Sequence, residues 1–383
     1  MPDWKRLVRV HLKLPPLRLG VLFVLLSVVA AVASCGQQSA PPRPAVAIEP
    51  ITAILDAFRS HSIVAMGDGT THGDEQSHAF RLALIRDPRF AATVNDIVVE
   101  SGNALYQDVI DRFVRGDEVP YGSLRQVWQN TTQPHTVWDA PIYEEFYRAV
   151  RAVNASLPKE RQLRVLLGDP PIDWERIHSR DDVLREMAAN PLFDRDRYPA
   201  DLIRREVLAK QRRALVVYGA MHLQRRNLFS NYEPQESAAP TIVSLLESAA
   251  ATKVFTIWVN ANLEKLQADV ASWGKPSLAI IRGTVLGAAD FTFYYPYSVP
   301  RMVVIDGKAV PVARDQWRSL RMEDQFDAVL YPGAASAITY SRLSPALCVD
   351  STYMEMRLRR MGLQGMTGEA ERLKQYCRAA APK

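Results

Sequence analysis

The sequence predicts an α/β fold: a mostly parallel central sheet with helices on both faces, one antiparallel hairpin addition and a C-terminal helical segment. Three observations carry this. Seven short apolar runs recur along the chain, most of them continuously apolar, as expected of strands covered on both faces. Stretches with helical spacing of apolar residues lie between them, and strand alternating with helix implies parallel pairing. Polar groups able to carry chemistry gather directly after the runs.

The elements follow in order. Residues 1–35 read as a leader. Lys5, Arg6, Arg9, Lys13 and Arg18 form a basic start, and Val21 to Val32 is an apolar run too short for a comfortable membrane span of roughly 20 residues. The run ends in Val32-Ala33-Ser34-Cys35-Gly36, which resembles a bacterial lipobox. That resemblance implies cleavage before Cys35, lipid on its thiol and a membrane anchor, and Gly36 favours the outer membrane, with the protein facing the periplasm. An uncleaved anchor helix and an ordinary signal peptide are the rival readings. Residues 36–50, rich in Gln, Ser, Ala and Pro, read as a flexible tether. Residues 51–383 then form a single α/β domain with a C-terminal helical extension.

Within that domain the strand-like runs are 62–66, 96–99, 163–167, 214–218, 254–259, 277–281 and 326–330. Helical spacing appears over 74–86, where Phe80, Leu84 and Ile85 share a side, and over 106–115, where Val109, Ile110, Phe113 and Val114 do. It recurs over 142–153 and 200–212. The segment 301–313 reads as a hairpin turning at Asp306-Gly307. Residues 350–377 read as helix, broken between Gly362 and Gly368. Residues 128–143, with two Trp, His135, Asp139 and two Pro, show no periodicity and read as a lid or as a loop packed by its tryptophans.

The formal net charge is +5, but five positive charges against Asp3 lie in the leader, so the remainder is near neutral. No nucleic-acid surface is indicated. Cys348 and Cys377 are the cysteines outside the leader and can pair in an exported protein, two free thiols being the alternative.

Ligands of open α/β sheets bind beyond the carboxyl ends of the strands, and four successive runs end in polar groups. Asp68 and His72 follow the first, within "MGDGTTHGDEQSHAF" at 66–80. Glu100 and Ser101 end the second, Asp169 and Asp173 the third, and His222 follows the fourth. Both histidines are spelled G-x-x-H. Asp68 suits helix capping as well as chemistry, and Asp169 and Asp173, flanking Pro-Pro, also suit a plain turn. Glu75, Asp139 and Arg225 complete the set of candidate substrate-binding residues.

Paired strand-end histidines with an intervening Val-Val-Glu resemble the superfamily of erythromycin esterase-like hydrolases, ChaN-type haem-binding lipoproteins and Tiki-type metalloproteases. "THG" at 71–73, "IVVES" at 97–101 and "YGAMH" at 218–222 carry the resemblance. It implies that His72, Glu100 and His222 are the central polar residues. One departure touches the acid: Asp68 stands where esterase-like members have Glu, and Gly69-Thr70 changes its spacing to His72.

Three chemistries fit these residue types. His72 can act as a general base, oriented by Asp68 or Glu100, with His222 polarising a carbonyl or protonating the leaving group. His72, His222 and Glu100 can hold a divalent metal that activates water. A His or Tyr can coordinate haem iron. No G-x-S-x-G elbow, catalytic Cys or phosphate loop is spelled. Hydrolysis of an ester or amide in a small-molecule or peptide substrate is the leading expectation, and haem or iron binding without catalysis the alternative.

Overall fold

The computed structural model describes residues 41–189, 194–226, 240–248, 252–291, 302–305, 308–311 and 320–380. The leader with Cys35, the start of the tether and the Asp306-Gly307 turn lie outside these residues. Among the described residues no helix is long and apolar enough to cross a membrane.

All seven apolar runs are strands: β1 (Ile63–Gly67), β2 (Asp96–Asn103), β3 (Arg164–Asp169), β4 (Ala214–Tyr218), β5 (Val254–Val259), β6 (Ser277–Ile280) and, after the hairpin, β9 (Ala328–Tyr331). They form one sheet in the order β3-β2-β4-β1-β5-β9-β6. Every pairing is parallel except β6 with β9 at one edge. The expected hairpin, β7 (Met302–Ile305) with β8 (Lys308–Pro311), is antiparallel but forms a two-stranded sheet of its own. The antiparallel strand of the main sheet is β6.

The continuous apolar runs are explained by burial on both faces. Val64, Met66, Ile97, Val99, Leu215 and Val217 enter one core layer. Ile63, Ala65, Val98, Val216 and Tyr218, their alternating neighbours, enter the other. The helices fall where spacing placed them. Glu75–Arg86 begins at Asp74, whose carboxylate accepts from Ser77 N. Gln107–Arg115 stops at Gly116, which has φ 107°. The segment expected as one helix over 200–212 is Arg197–Ile203, continued by the five π-helical residues Arg204–Leu208.

Register places the site. Met66 and Val99 both stand beside Val217. Glu100 is therefore level with Tyr218, and Asp68 with Gly219, so β1, β2 and β4 deliver their polar ends to one patch of the sheet edge.

The C-terminal helices Ser351–Leu363 and Thr367–Ala380 break at 364–366. Cys348 and Cys377 are joined by a disulfide, Cα–Cα 5.2 Å. Loop 128–143 is not a free lid. Trp138 is 1% exposed and Trp128 4%. Asp139, expected to bind substrate, is buried and taken by Arg357 and by the Tyr353 hydroxyl, both from Ser351–Leu363. Arg360 of the same helix donates to Gln129 O at 3.1 Å and Asn130 Oδ1 at 2.8 Å.

The Asp139–Arg357 pair therefore carries the docking of the C-terminal helices. Asp139→Ala strands a guanidinium that is 1% exposed. It should lower unfolding free energy by about 3–5 kcal/mol, measured by guanidinium denaturation. A loss below about 1 kcal/mol would mean that the pair behaves as a surface pair.

Candidate functional site

The turn after β1 builds one wall. A Cβ on Gly69 would lie 2.7 Å from Asp74 Cβ and from Thr71 O, so only glycine lets the chain fold back here. Thr70 N donates to Asp74 Oδ2 at 3.0 Å and locks the turn. His72 is thereby carried back over the sheet edge, where its Nδ1 meets Asp68 Oδ2 at 3.0 Å. Trp138 lies edge-on to the imidazole at 4.7 Å between ring centroids.

Asp68 accepts from three side chains. Besides His72, Arg81 Nη1 donates to Oδ1 at 2.6 Å and Tyr143 OH to Oδ2 at 3.0 Å. Burial alone would raise the carboxyl pKa, but Arg81, His72 and Tyr143 outweigh it and hold the group well below the usual carboxylate range. An ionised Asp68 fixes the proton of neutral His72 on Nδ1, leaving the Nε2 lone pair free. Burial lowers the His72 pKa, while the Asp68 bond and the charges of Glu100 and Asp68 raise it more, so the net shift is upward.

β2 and β4 build the other wall. Glu100, 3% exposed, is held by Arg195 at Oε1 and by Gly219 N–H at Oε2, 2.7 Å away. His222 Nε2 stands 3.5 Å from Glu100 Oε1, and its Nδ1 is 2.9 Å from Asp196 Oδ1. Burial pushes the Glu100 pKa up, but Arg195, His222, His72 and the Gly219 bond bring it below its ordinary value. A Cβ on Gly219 would stand 3.2 Å from His72 Cε1 and 3.4 Å from its Nε2, so the glycine is what lets the imidazole sit against the β4 end. The three expected central residues thus share one site with Asp68. They line a cavity of about 260 Å³ with Arg195, Gly219 and Trp258.

The remaining candidates have other partners. Asp169 is buried beneath the cavity, accepting from Thr132 N and Oγ1 at 2.6 Å each and lying 3.6 Å from Arg195 Nε. Burial pushes its pKa up to about 7 against those contacts. Asp173 caps a 3₁₀ turn through Glu175 N, the plain-turn reading. Glu75 bonds the Thr339 hydroxyl at 2.6 Å on the surface. Arg225 pairs with Glu247 and Asp327 away from the cavity. His78 accepts from Arg81 at Nδ1, 3.3 Å, and faces Glu145 at Nε2, 3.2 Å. Burial and Arg81 push its pKa down to about 4, so it is a neutral packing histidine.

Arg195, Asp196, Arg81 and Tyr143 are site residues that sequence reasoning did not single out. Arg195 and Asp196 sit in the polar stretch "DRDRY" at 194–198, which ends no strand. Arg81 occupies an unremarkable charged position on a helix.

A metal set of His72, His222 and Glu100 does not fit. Both Glu100 oxygens are engaged, a guanidinium lies against them, and His222 already faces two carboxylates. Among the described residues no group of three His, Cys, Asp or Glu is arranged to hold a metal ion.

No family model matches the chain, and no curated protein matches it. Solved structures do. One described as a succinoglycan biosynthesis protein aligns with a TM-score of 0.50 and 11% identity, over 78% of this chain and 96% of that one. A Bacillus cereus protein aligns at 0.41 and 9%, over 79% and 97%. ChaN of Campylobacter jejuni, solved with cofacially bound haem, aligns at 0.33 and 14%, over 56% and 87%. The first likeness is one of fold.

The Asp68–His72 contact has a defined pH signature. With the folded pKa raised, its stabilisation is complete below the ordinary imidazole pKa of about 6.5 and fades as pH rises through the raised value. NMR titration should place His72 above that ordinary value, and Asp68→Asn should bring it down. An unmoved His72 titration in the Asn variant would break the pairing.

Proposed function

We propose that the protein hydrolyses an ester or amide by general-base activation of water at His72. One observation supports this above the others. His72 has Nδ1 committed to a buried, ionised Asp68 and Nε2 without a hydrogen bond from the described residues, in a cavity it shares with a guanidinium. The resemblance of "THG", "IVVES" and "YGAMH" to esterase-like hydrolases agrees with it.

In this reading a water bound in the cavity gives a proton to His72 Nε2 as its oxygen attacks the carbonyl carbon. Asp68 stabilises the resulting imidazolium, as a buried carboxylate paired with Nδ1 does in serine hydrolase triads. Arg195 faces the developing oxyanion, and its charge counts for more in a water-poor cleft than in bulk water. The C–O or C–N bond then breaks, and the proton passes from Nε2 to the departing oxygen or nitrogen. Glu100 accepts rather than abstracts: with Arg195 and Gly219 on its two oxygens it positions the guanidinium. His222, bridging Asp196 and Glu100, closes the far side. The location that goes with this activity is the outer membrane, facing the periplasm, by a lipid on Cys35.

The test uses p-nitrophenyl acetate. His72→Ala should lower kcat/KM by about 10²–10⁴-fold, the range of a lost general base. Glu100→Gln should cost a comparable factor, and the double variant should be little worse than either alone, as for residues that act together. Activity should survive a chelator and rise with pH through a His72 pKa above the ordinary value. In Asp68→Asn that limb should move to lower pH. Turnover unchanged in His72→Ala refutes the reading. A Soret shift on adding hemin, lost in His72→Ala and found without ester turnover, would favour haem binding instead.

A further inference from the structure

His72 lines two cavities. The second, of about 330 Å³, is lined by none of His222, Glu100 and Arg195. Its walls come from three separate segments. Val137 and Ala140 belong to the loop whose Trp138 packs on His72; Leu343 follows the strand region; Met361 and Leu373 belong to the two C-terminal helices. Its charged lining residues are at the outside: the Arg372 side chain is 70% exposed and paired with Glu369. Two rings besides His72 line it: the Tyr376 phenol, which donates to Leu343 O at 2.6 Å, and His135, whose pKa burial and nearby Arg195 and Arg357 push down to about 4. His135 is therefore neutral at ordinary pH, and the inner walls carry no charge apart from His72.

The volume lies within the range of small-molecule sites, roughly 300–1,000 Å³. Leu343 and Leu373 are 7% and 5% exposed, and Met361 1%. An apolar chamber thus opens onto the same imidazole as the polar, arginine-bearing one. The two cavities meet at His72, the residue that lines both, so a substrate with its scissile group beside this imidazole has the arginine-bearing cavity on one side and the apolar chamber on the other.

Building on the hydrolase reading above, we infer that this second cavity is a subsite for an apolar chain or aryl group of the substrate. The substrate class is then an amphipathic ester or amide whose apolar part is a medium-length acyl chain or ring. The C-terminal helices form the subsite floor, and the Cys348–Cys377 bond fixes the floor helix Thr367–Ala380 to the segment before Ser351.

The experiment compares p-nitrophenyl octanoate with p-nitrophenyl acetate, and separately measures binding of 1-N-phenylnaphthylamine by fluorescence. Wild type should prefer octanoate in kcat/KM. Leu373→Trp, which fills the chamber, should cut the octanoate-to-acetate ratio at least tenfold and leave acetate turnover unchanged. Ser341→Trp, at a half-exposed wall position, serves as a second obstruction should Leu373→Trp fail to fold. The dye should bind wild type and His72→Ala alike, be displaced by octanoate, and fail to bind the tryptophan variants. An unchanged chain-length ratio together with unchanged dye binding in a folded tryptophan variant overturns the subsite. Dye binding that behaves as expected, with no ester turned over by wild type, overturns the hydrolase reading and leaves the subsite standing.

Discussion

The Asp68 carboxylate is the constraint from which the site follows. It is 6% exposed and ionised, and an ion so placed is costly unless its lone pairs are filled. They are filled by donors from three parts of the chain: His72 from the turn after β1, Arg81 from the next helix, and Tyr143 from the helix Pro141–Ala155. One anion thus gathers three segments. Because it needs the donors, it also dictates the tautomer of His72. Tyr143 reinforces the arrangement, since its hydroxyl donates a hydrogen bond to Asp68 and accepts one from Gly73 N–H at 3.1 Å.

From there the dependence runs outward to the C terminus. His72 is backed by Trp138; Trp138 adjoins Asp139; Asp139 is clamped by Arg357 and Tyr353. Arg360 stacks over Trp174 at 4.8 Å while bonding the start of the same loop. The C-terminal helices are therefore part of the support of the imidazole, although they contribute nothing to the sheet. A fold that delivered only its strand ends would present His72 on a turn with little behind it. A side chain held in a fixed orientation needs such backing.

The fold was largely legible in the sequence because the sheet is buried on both faces. Burial of that kind writes itself as uninterrupted apolar runs, and 214–218 and 254–259 match their strands residue for residue. The meeting of His72, Glu100 and His222 was legible for a topological reason, since parallel neighbours end at one edge. What was illegible is pairing across long separations. Arg195 reaches Glu100 from 95 positions away, and nothing in a run of alternating Asp and Arg says which charge turns inward. The reverse error has the same cause. Asp139, Glu75 and Arg225 look like site residues by type and place, yet each is satisfied by a distant partner that only the folded chain reveals. The metal set failed likewise: the ligand types were in place, but Arg195 had already claimed Glu100.

That claim separates the roles of two carboxylates that look equivalent in sequence. Asp68 and Glu100 are both buried, both ionised and both beside an arginine. Arg81 is 4% exposed in its side chain and lies behind Asp68, so its charge is spent on holding that anion. Arg195 is 26% exposed and lines the cavity, so its charge faces whatever binds there. Asp68 is thus an anion stabilised from behind so that it can act forward on His72. Glu100 is an anion that faces a cation and aims it. Asp68 and Glu100 also line the cavity, but both oxygens of each are already engaged, and Arg195 is the guanidinium in the lining. With the lone pairs of both carboxylates already taken and a guanidinium in the lining, the cavity suits a ligand that carries negative charge better than a bare cation.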